Sequence, residues 1–157
     1  MNEEACPPPK LEVTEAYASV RIYGERLDPL DVTLALRLPA DHTHRRGEPR
    51  LRRLKSRGLW EGSPYRDGMW SVSSKQWVES PRLSSHVEWL LGEFEPKAAQ
   101  LAAVLGEGIE ADIFCYFYGP MANPPSLPQS LHERAAALGL VIEIDHYQES
   151  PADESPA

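Results

Sequence analysis

The chain has little with which to staple or anchor itself. It holds two cysteines in 157 residues, Cys6 in a Pro-rich tail and Cys115 in an apolar run. Pairing them is not expected, so both read as free thiols of a reducing cytoplasm. Two cysteines without close spacing also argue against a zinc site. No apolar run approaches the ~20 residues that cross a bilayer. The opening MNEEACPPPK lacks the basic start and apolar core of a signal peptide. No G-x-S-x-G, P-loop or dinucleotide fingerprint occurs, no catalytic set is complete, and no cofactor is implied. Positive charge is also short: the net charge is −8. That argues against a general binder of nucleic acid or anionic membrane.

What is present suits one domain with one core. Residues 1–13 and 149–157 read as disordered tails, with a single α/β domain over 14–148. The organising stretch is Ala111 to Gly119, ADIFCYFYG, apolar at nearly every position. Successive strand side chains point to opposite faces, and here both faces are large and apolar, as in a central strand. A first strand spans Tyr17 to Tyr23, with Ala18, Val20 and Ile22 on one face. Asp28 and Pro29 then mark a helix start, with Leu27 and Val32 placed as a hydrophobic staple. Leu30, Leu34 and Leu38 are expected on its inner face, and Pro39 stops it.

A second strand is expected over Gly68 to Ser74. A helix follows from near Ser85, which forms a capping box with Glu88. Its stripe is Val87, Leu90, Leu91, Phe94, Ala98, Leu101 and Leu105, with a kink at Pro96. Ser126 and Gln129 give the last helix a second capping box. Its inner face is Leu131, Ala135 and Leu138, and Gly139 caps its C-terminus. The final strand is Leu140 to Tyr147, with Ile142 and Ile144 inside. The order β-α-β-α-β-α-β, with VRIYG near the front echoed by CYFYG near the back, predicts two halves related by a pseudo-twofold. The expected fold is an α/β (α+β) sandwich of ferredoxin-like type. It has helices on one face of a four-stranded, mainly antiparallel sheet, with strands one and three central.

The segments ASVRIYGERLDP, THRRGE, GMWSVSS, HVEWLLGEFEP and ADIFCYFYG, in this order, resemble a bacterial family known only as domain of unknown function 4279. They span nearly the whole ordered chain. An Asp is commoner in that family where Glu48 stands, and the longer carboxylate shifts whatever that group binds. The resemblance implies a small cytosolic bacterial domain and carries no activity or catalytic residue with it.

Two places could hold chemistry. The segment Asp41 to Gly58 has seven of the sixteen Lys and Arg against Asp41 and Glu48, a net +5 that leaves −13 elsewhere. It reads as a long loop with at most a short strand. Within it Thr43, His44, Arg45, Arg46 and Glu48, with His42 beside them, could clamp an anion, could hold a metal through two histidines and a carboxylate, or could be a solvated basic turn. An anion site there would draw in Tyr23 or Tyr118 and would suit a small enzyme or binding protein for a nucleotide-like compound; no metal is assigned. The second place is the sheet face opposite the helices, where Tyr17, Arg21, Tyr23, Phe114, Tyr116 and Tyr118 collect. So much aromatic area is covered by the chain itself, docks a protein or a second copy, or stacks rings. The leading expectation is a non-enzymatic protein-binding or self-associating module. His146, on the apolar face of the last strand, reads as a satisfied core or edge histidine, and Cys115 as a small buried hydrophobe.

Overall fold

The structure, a computed structural model, describes residues 15–54, 58–119 and 125–147, with backbone alone over 51–54 and 58–61. The two expected tails and Cys6 lie outside the described residues, as do the side chain of Trp60 and the Ser126-side loop residues 120–124. In chain order the elements are β1 (Glu15–Gly24), α1 (Pro29–Leu36), β2 (His42–His44), β3 (Arg50–Leu54), β4 (Gly58–Gly62), β5 (Gly68–Ser73), α2 (Leu83–Phe94), a 3-10 turn (Glu95–Lys97), α3 (Ala98–Val104), β6 (Glu110–Tyr118), α4 (Gln129–Ala137) and β7 (Val141–Tyr147).

The ADIFCYFYG segment is an interior strand, as its two apolar faces require. It becomes β6, antiparallel to β1 on one side and parallel to β7 on the other. Five strands form an open mixed sheet in the order β2-β5-β1-β6-β7. This corrects the expected four-stranded ferredoxin-like layout in two ways. The strand Gly68–Ser73 is not an edge, because His42–His44 pairs along its outer side. The last strand lies parallel to β6, whereas β5 lies antiparallel to β1. The two Tyr-Gly strands do lie side by side, but their outer neighbours run in unlike senses, so the pseudo-twofold stops at the central pair.

The helices take the face formed by Ala18, Val20 and Ile22 of β1, Trp70 and Val72 of β5, and Ile113, Cys115 and Phe117 of β6, all buried. Against it lie Val87, Leu90, Leu91, Phe94 and Leu101, each fully buried. Pro96 breaks the stripe into α2 and α3 through the 3-10 turn, because its ring excludes a continuous ladder. Ala98 is outside the stripe and exposed, since the break rotates the face. Leu131, Ala135 and Leu138 close the core from α4. That helix ends in a Schellman motif, with Gly139 N–H donating to Ala136 O at 2.9 Å and Leu140 N–H to Ala135 O at 2.9 Å. Gly139 is free to adopt the required φ of 78°.

The N-terminus of α1 follows its sequence signal: Asp28 Oδ1 accepts the Leu30 N–H at 3.0 Å, with Pro29 in the first helical turn. Leu27 and Val32 are both in the core cluster. The inner face of α1 is nonetheless Val32 and Leu36, while Leu30 and Leu34 point outward and are exposed. The two four-residue series lie half a turn apart, and the staple at Val32 selects which one faces in. Neither expected capping box forms. Helix α2 starts earlier, at Leu83, and α4 starts after Pro128, both without a side-chain cap. Glu88 instead chelates Arg134 of α4 with both oxygens at 2.7 Å, and Glu95 holds the same guanidinium.

The basic segment is more ordered than a loop. It contributes the edge strand β2 and, beyond a tight turn, the hairpin β3–β4, whose strands pair with each other, from Arg50↔Gly62 to Leu54↔Gly58. Its charges hid the strand pattern, since arginines occupy positions where a buried strand would carry apolar side chains.

Candidate functional site

Strand pairing sorts the face opposite the helices into rows. One row crosses His44, Met69, Tyr23 and Glu110, and the next crosses His42, Ser71, Arg21, Asp112 and Val141. Further along come Ser73, Ser19, Phe114 and Glu143, then Tyr17, Tyr116 and Asp145, then Glu15, Tyr118 and Tyr147. The β2 histidines and the expected interface residues Tyr17, Arg21, Phe114 and Tyr116 therefore share one surface. No described helix lies on it, and its aromatic residues are half-exposed.

The middle of this surface is polar. Arg21 grips Asp112 side-on, Nε to Oδ1 at 2.8 Å and Nη2 to Oδ2 at 2.6 Å, and reaches Glu143 at 3.7 Å. Its guanidinium lies 4.4 Å from the Phe114 ring centre. Asp112 is buried, and its hydrogen bonds hold Arg21 protonated above its ordinary range. Burial, then the charges of Asp112 and Glu110, push the Tyr23 phenol up, so it stays neutral. The far end is aromatic. Tyr17 stacks on Tyr116 with centroids 4.8 Å apart, Tyr116 leans on Tyr147 at 5.2 Å, and the Lys75 ammonium sits 5.1 Å from the Tyr17 ring. Tyr147 O–H donates to Asp145 at 2.6 Å.

The β2 end is closed by a stack that the sequence did not announce. Tyr65 lies face to face on His44, with centroids 3.5 Å apart, and the Arg50 guanidinium stands 4.8 Å from the same ring. Two backbone bonds tie the Tyr65 loop to the Arg45–Glu48 turn, Gly47 N–H to Tyr65 O at 2.9 Å and Tyr65 N–H to Glu48 O at 3.0 Å. Gly47 has φ 87°, which the tight turn requires. His44 is buried, and its Nδ1 has no hydrogen-bond partner among the described residues. Burial, then the charge of His42, lowers its pKa.

The expected anion clamp is only partly assembled. Thr43 is exposed, and Glu48 bears its side chain outward. Arg45 pairs with Asp28 at 3.2 Å and Arg46 with Glu25 at 2.8 Å, so both charges already face carboxylates. Tyr23 is two strands from His44 in the same row. Tyr118 is not part of that site: it pairs opposite Glu15, at the other end of β1 from Tyr23, roughly 27 Å away at ~3.4 Å per residue. A hollow of ≈ 620 Å³ does adjoin the turn, lined by Glu25, Arg46, Gly47, Tyr65, Arg66 and Asp67. His42 and His44 are edge-to-face at 5.5 Å, and among the described residues no three His, Cys, Asp or Glu side chains converge as a metal would need.

Cys115 is fully buried, and burial pushes its thiol up to about 12, so it is a hydrophobe and not a nucleophile. His146 packs edge-on against Phe117 and contacts Gly119 O at 3.2 Å, a satisfied histidine. A second buried histidine escaped notice in the sequence. His86 joins Ser74 Oγ to Ser80 O, at 2.7 and 2.8 Å, and Ser74 Oγ in turn accepts the Ala18 N–H at 3.0 Å. Ser80 O can only accept, so Nε2–H donates to it, and in the neutral ring Nδ1 accepts the Ser74 hydroxyl proton. The signal for it was a His inside the apolar stripe of α2.

The fold is thus an open five-stranded mixed α+β sheet with helices against one face and an aromatic, charged surface on the other. The chain belongs to the family described as a domain of unknown function (DUF4279), which matches residues 14–149. No curated protein and no solved structure matches it. No described helix is long and apolar enough to cross a membrane.

Proposed function

We propose that this protein is a binding module that docks another protein on the helix-free face of its sheet. The observation that carries the reading is the Tyr17–Tyr116–Tyr147 tier, half-exposed and stacked beside the Arg21–Asp112 pair. Rigid aromatics next to a fixed charge pair are the composition of a binding hot spot, where large area is offered at low entropic cost. A photoreactive residue in place of Ser19, in the centre of the face, tests this in the expressing cell. A discrete adduct that vanishes with Tyr116→Ser, and does not form from position Leu34 on the outside of α1, is the expected result. Equal labelling from both positions, or none, overturns it.

A second reading rests on the hollow beside the Arg45–Glu48 turn. Arg46 and Arg66 both line it, and the exposed Arg46–Glu25 pair, worth no more than ~1 kcal/mol, could yield to an anionic, nucleotide-like compound. Thermal unfolding with nucleotides, inorganic phosphate and divalent cations tests that reading. A rise in midpoint that is lost in Arg46→Ala supports it, and no rise up to about millimolar ligand removes it.

A further inference from the structure

Among the described residues, the outer edge of β7 in the same sheet has no strand paired to it. In an extended strand a residue directs its N–H and C=O to the same side, and the side alternates along the chain. Tyr147 O accepts the Gly119 N–H from the β6 side. Val141, Glu143, Asp145 and Tyr147 therefore turn their backbone groups toward β6, with which they are in register. Ile142, Ile144 and His146 turn theirs outward, and among the described residues no backbone bond meets them. The strand is seven residues long and carries no proline, glycine or lysine. Proline and lysine are usual means of blunting an edge, and the strand's own charged side chains are the acids Glu143 and Asp145.

Its charge selects what can pair there. Glu143 and Asp145 stand on the face of Tyr116 and Tyr147; β7 itself has no Lys or Arg, and Arg21, 3.7 Å from Glu143, is shared with Asp112. A second copy is a poor occupant. A twofold pairing sets residues of one face opposite each other. Centred on Ile144 it puts Glu143 against Asp145, and centred on either acid it puts that acid against itself. Registers centred on Ile142 or His146 avoid this but overlap only three residues. Like charges directly opposite are destabilising.

We infer that β7 accepts an extended peptide with basic residues at alternate positions and apolar residues between them, added as a sixth strand. Its basic side chains lie beside Glu143 and Asp145 on the open face, and its apolar ones lie beside Ile142 and Ile144 on the other. This deepens the docking reading above by naming the partner's chemistry, and rests on it.

The test uses the full chain and a capped peptide of about nine residues alternating lysine and valine, long enough to form a strand. Amide hydrogen exchange is read residue by residue. On peptide binding the amides of Ile142, Ile144 and His146 slow by roughly tenfold or more. A peptide with glutamate for lysine has no effect. Backbone N-methylation of the lysine–valine peptide on its pairing edge abolishes the protection with the protein unchanged. Ile144→Pro abolishes it too, since that N–H makes no bond to β6. Binding without protection of those three amides, protection that survives N-methylation, protection already present in the free protein, or a dimer formed through β7 each overturns the inference. The Ser19 adduct is measured separately, so a failed edge with an intact adduct leaves face docking standing, and loss of both removes the larger reading.

Discussion

His44 and Tyr65 lie face to face, 3.5 Å between ring centres and 10° from parallel. Burial, then the charge of His42, disfavours the protonated imidazole there and lowers its pKa. The charges of Glu48 nearby and Arg50 across Tyr65 act in opposite senses on it. A histidine with a depressed folded-state pKa contributes stability that is present above its unfolded value and lost as pH falls through the folded one. Denaturant unfolding is expected to show lower stability at about pH 5 than at about pH 7.5. His44→Phe, which keeps the stack without a proton site, should show a smaller drop. An equal drop in both proteins would place the pH dependence elsewhere.

Gly68 and Gly24 face each other across β5 and β1. A Cβ on Gly68 would sit 2.0 Å from Leu27 O, and one on Gly24 would sit 2.5 Å from Gly108 O. Neither obstacle is a side chain that can swing away. Gly68→Ala is expected to cost about 1–3 kcal/mol by forcing the Leu27 backbone aside. Gly92→Ala, which meets nothing within 4 Å, is the control and should be neutral or stabilising. Equal midpoints for the two variants would contradict the close approach.

The Ala18–Ser74–His86–Ser80 chain of hydrogen bonds fastens the start of α2 to β1 from within the core. Ser74→Ala leaves the Ala18 N–H and a buried His86 nitrogen without partners. The expected loss is about 1–3 kcal/mol, read by equilibrium unfolding. Ser73→Ala, one residue earlier and on the half-exposed face, should cost less. The reverse order would show that the chain is ornamental to stability.

Asp112 is buried and held side-on by Arg21. Removing the guanidinium strands a carboxylate inside the sheet, whereas changing the carboxylate leaves an arginine that is partly exposed and can reach solvent. Arg21→Leu is therefore expected to destabilise by about 2 kcal/mol, discounted for that exposure, and by more than Asp112→Asn. Their double variant should recover part of the loss.

The central strand was legible because both of its faces are apolar, a pattern that only an interior position satisfies. Asp28-Pro29 and Gly139 fixed two helix ends through local geometry that no neighbour can override. The other two starts were misread because Ser85 and Ser126 carry capping chemistry that the tertiary structure does not use; Glu88 is drawn instead to Arg134, forty-six residues away. The inner face of α1 was ambiguous, since leucines fill both sides and only packing chooses. Among the site residues, the face shared by Tyr17, Arg21, Phe114 and Tyr116 followed from alternation alone. The His44–Tyr65–Arg50 stack did not, because it joins three segments through a turn and a loop with no periodicity. Strand sense, parallel for β7 and antiparallel for β5, is likewise a property of connections and not of composition.

Hydroxyl-radical footprinting of the tyrosines, on the isolated protein and on the Ser19-crosslinked complex, tests the docking face most directly. The account predicts that Tyr17, Tyr116 and Tyr147 are labelled in the free protein and protected in the complex, while Trp77, exposed and stacked on Trp89 of α2, reacts alike in both. Tyrosines already protected in the free chain, or labelled equally in the two states, would contradict it.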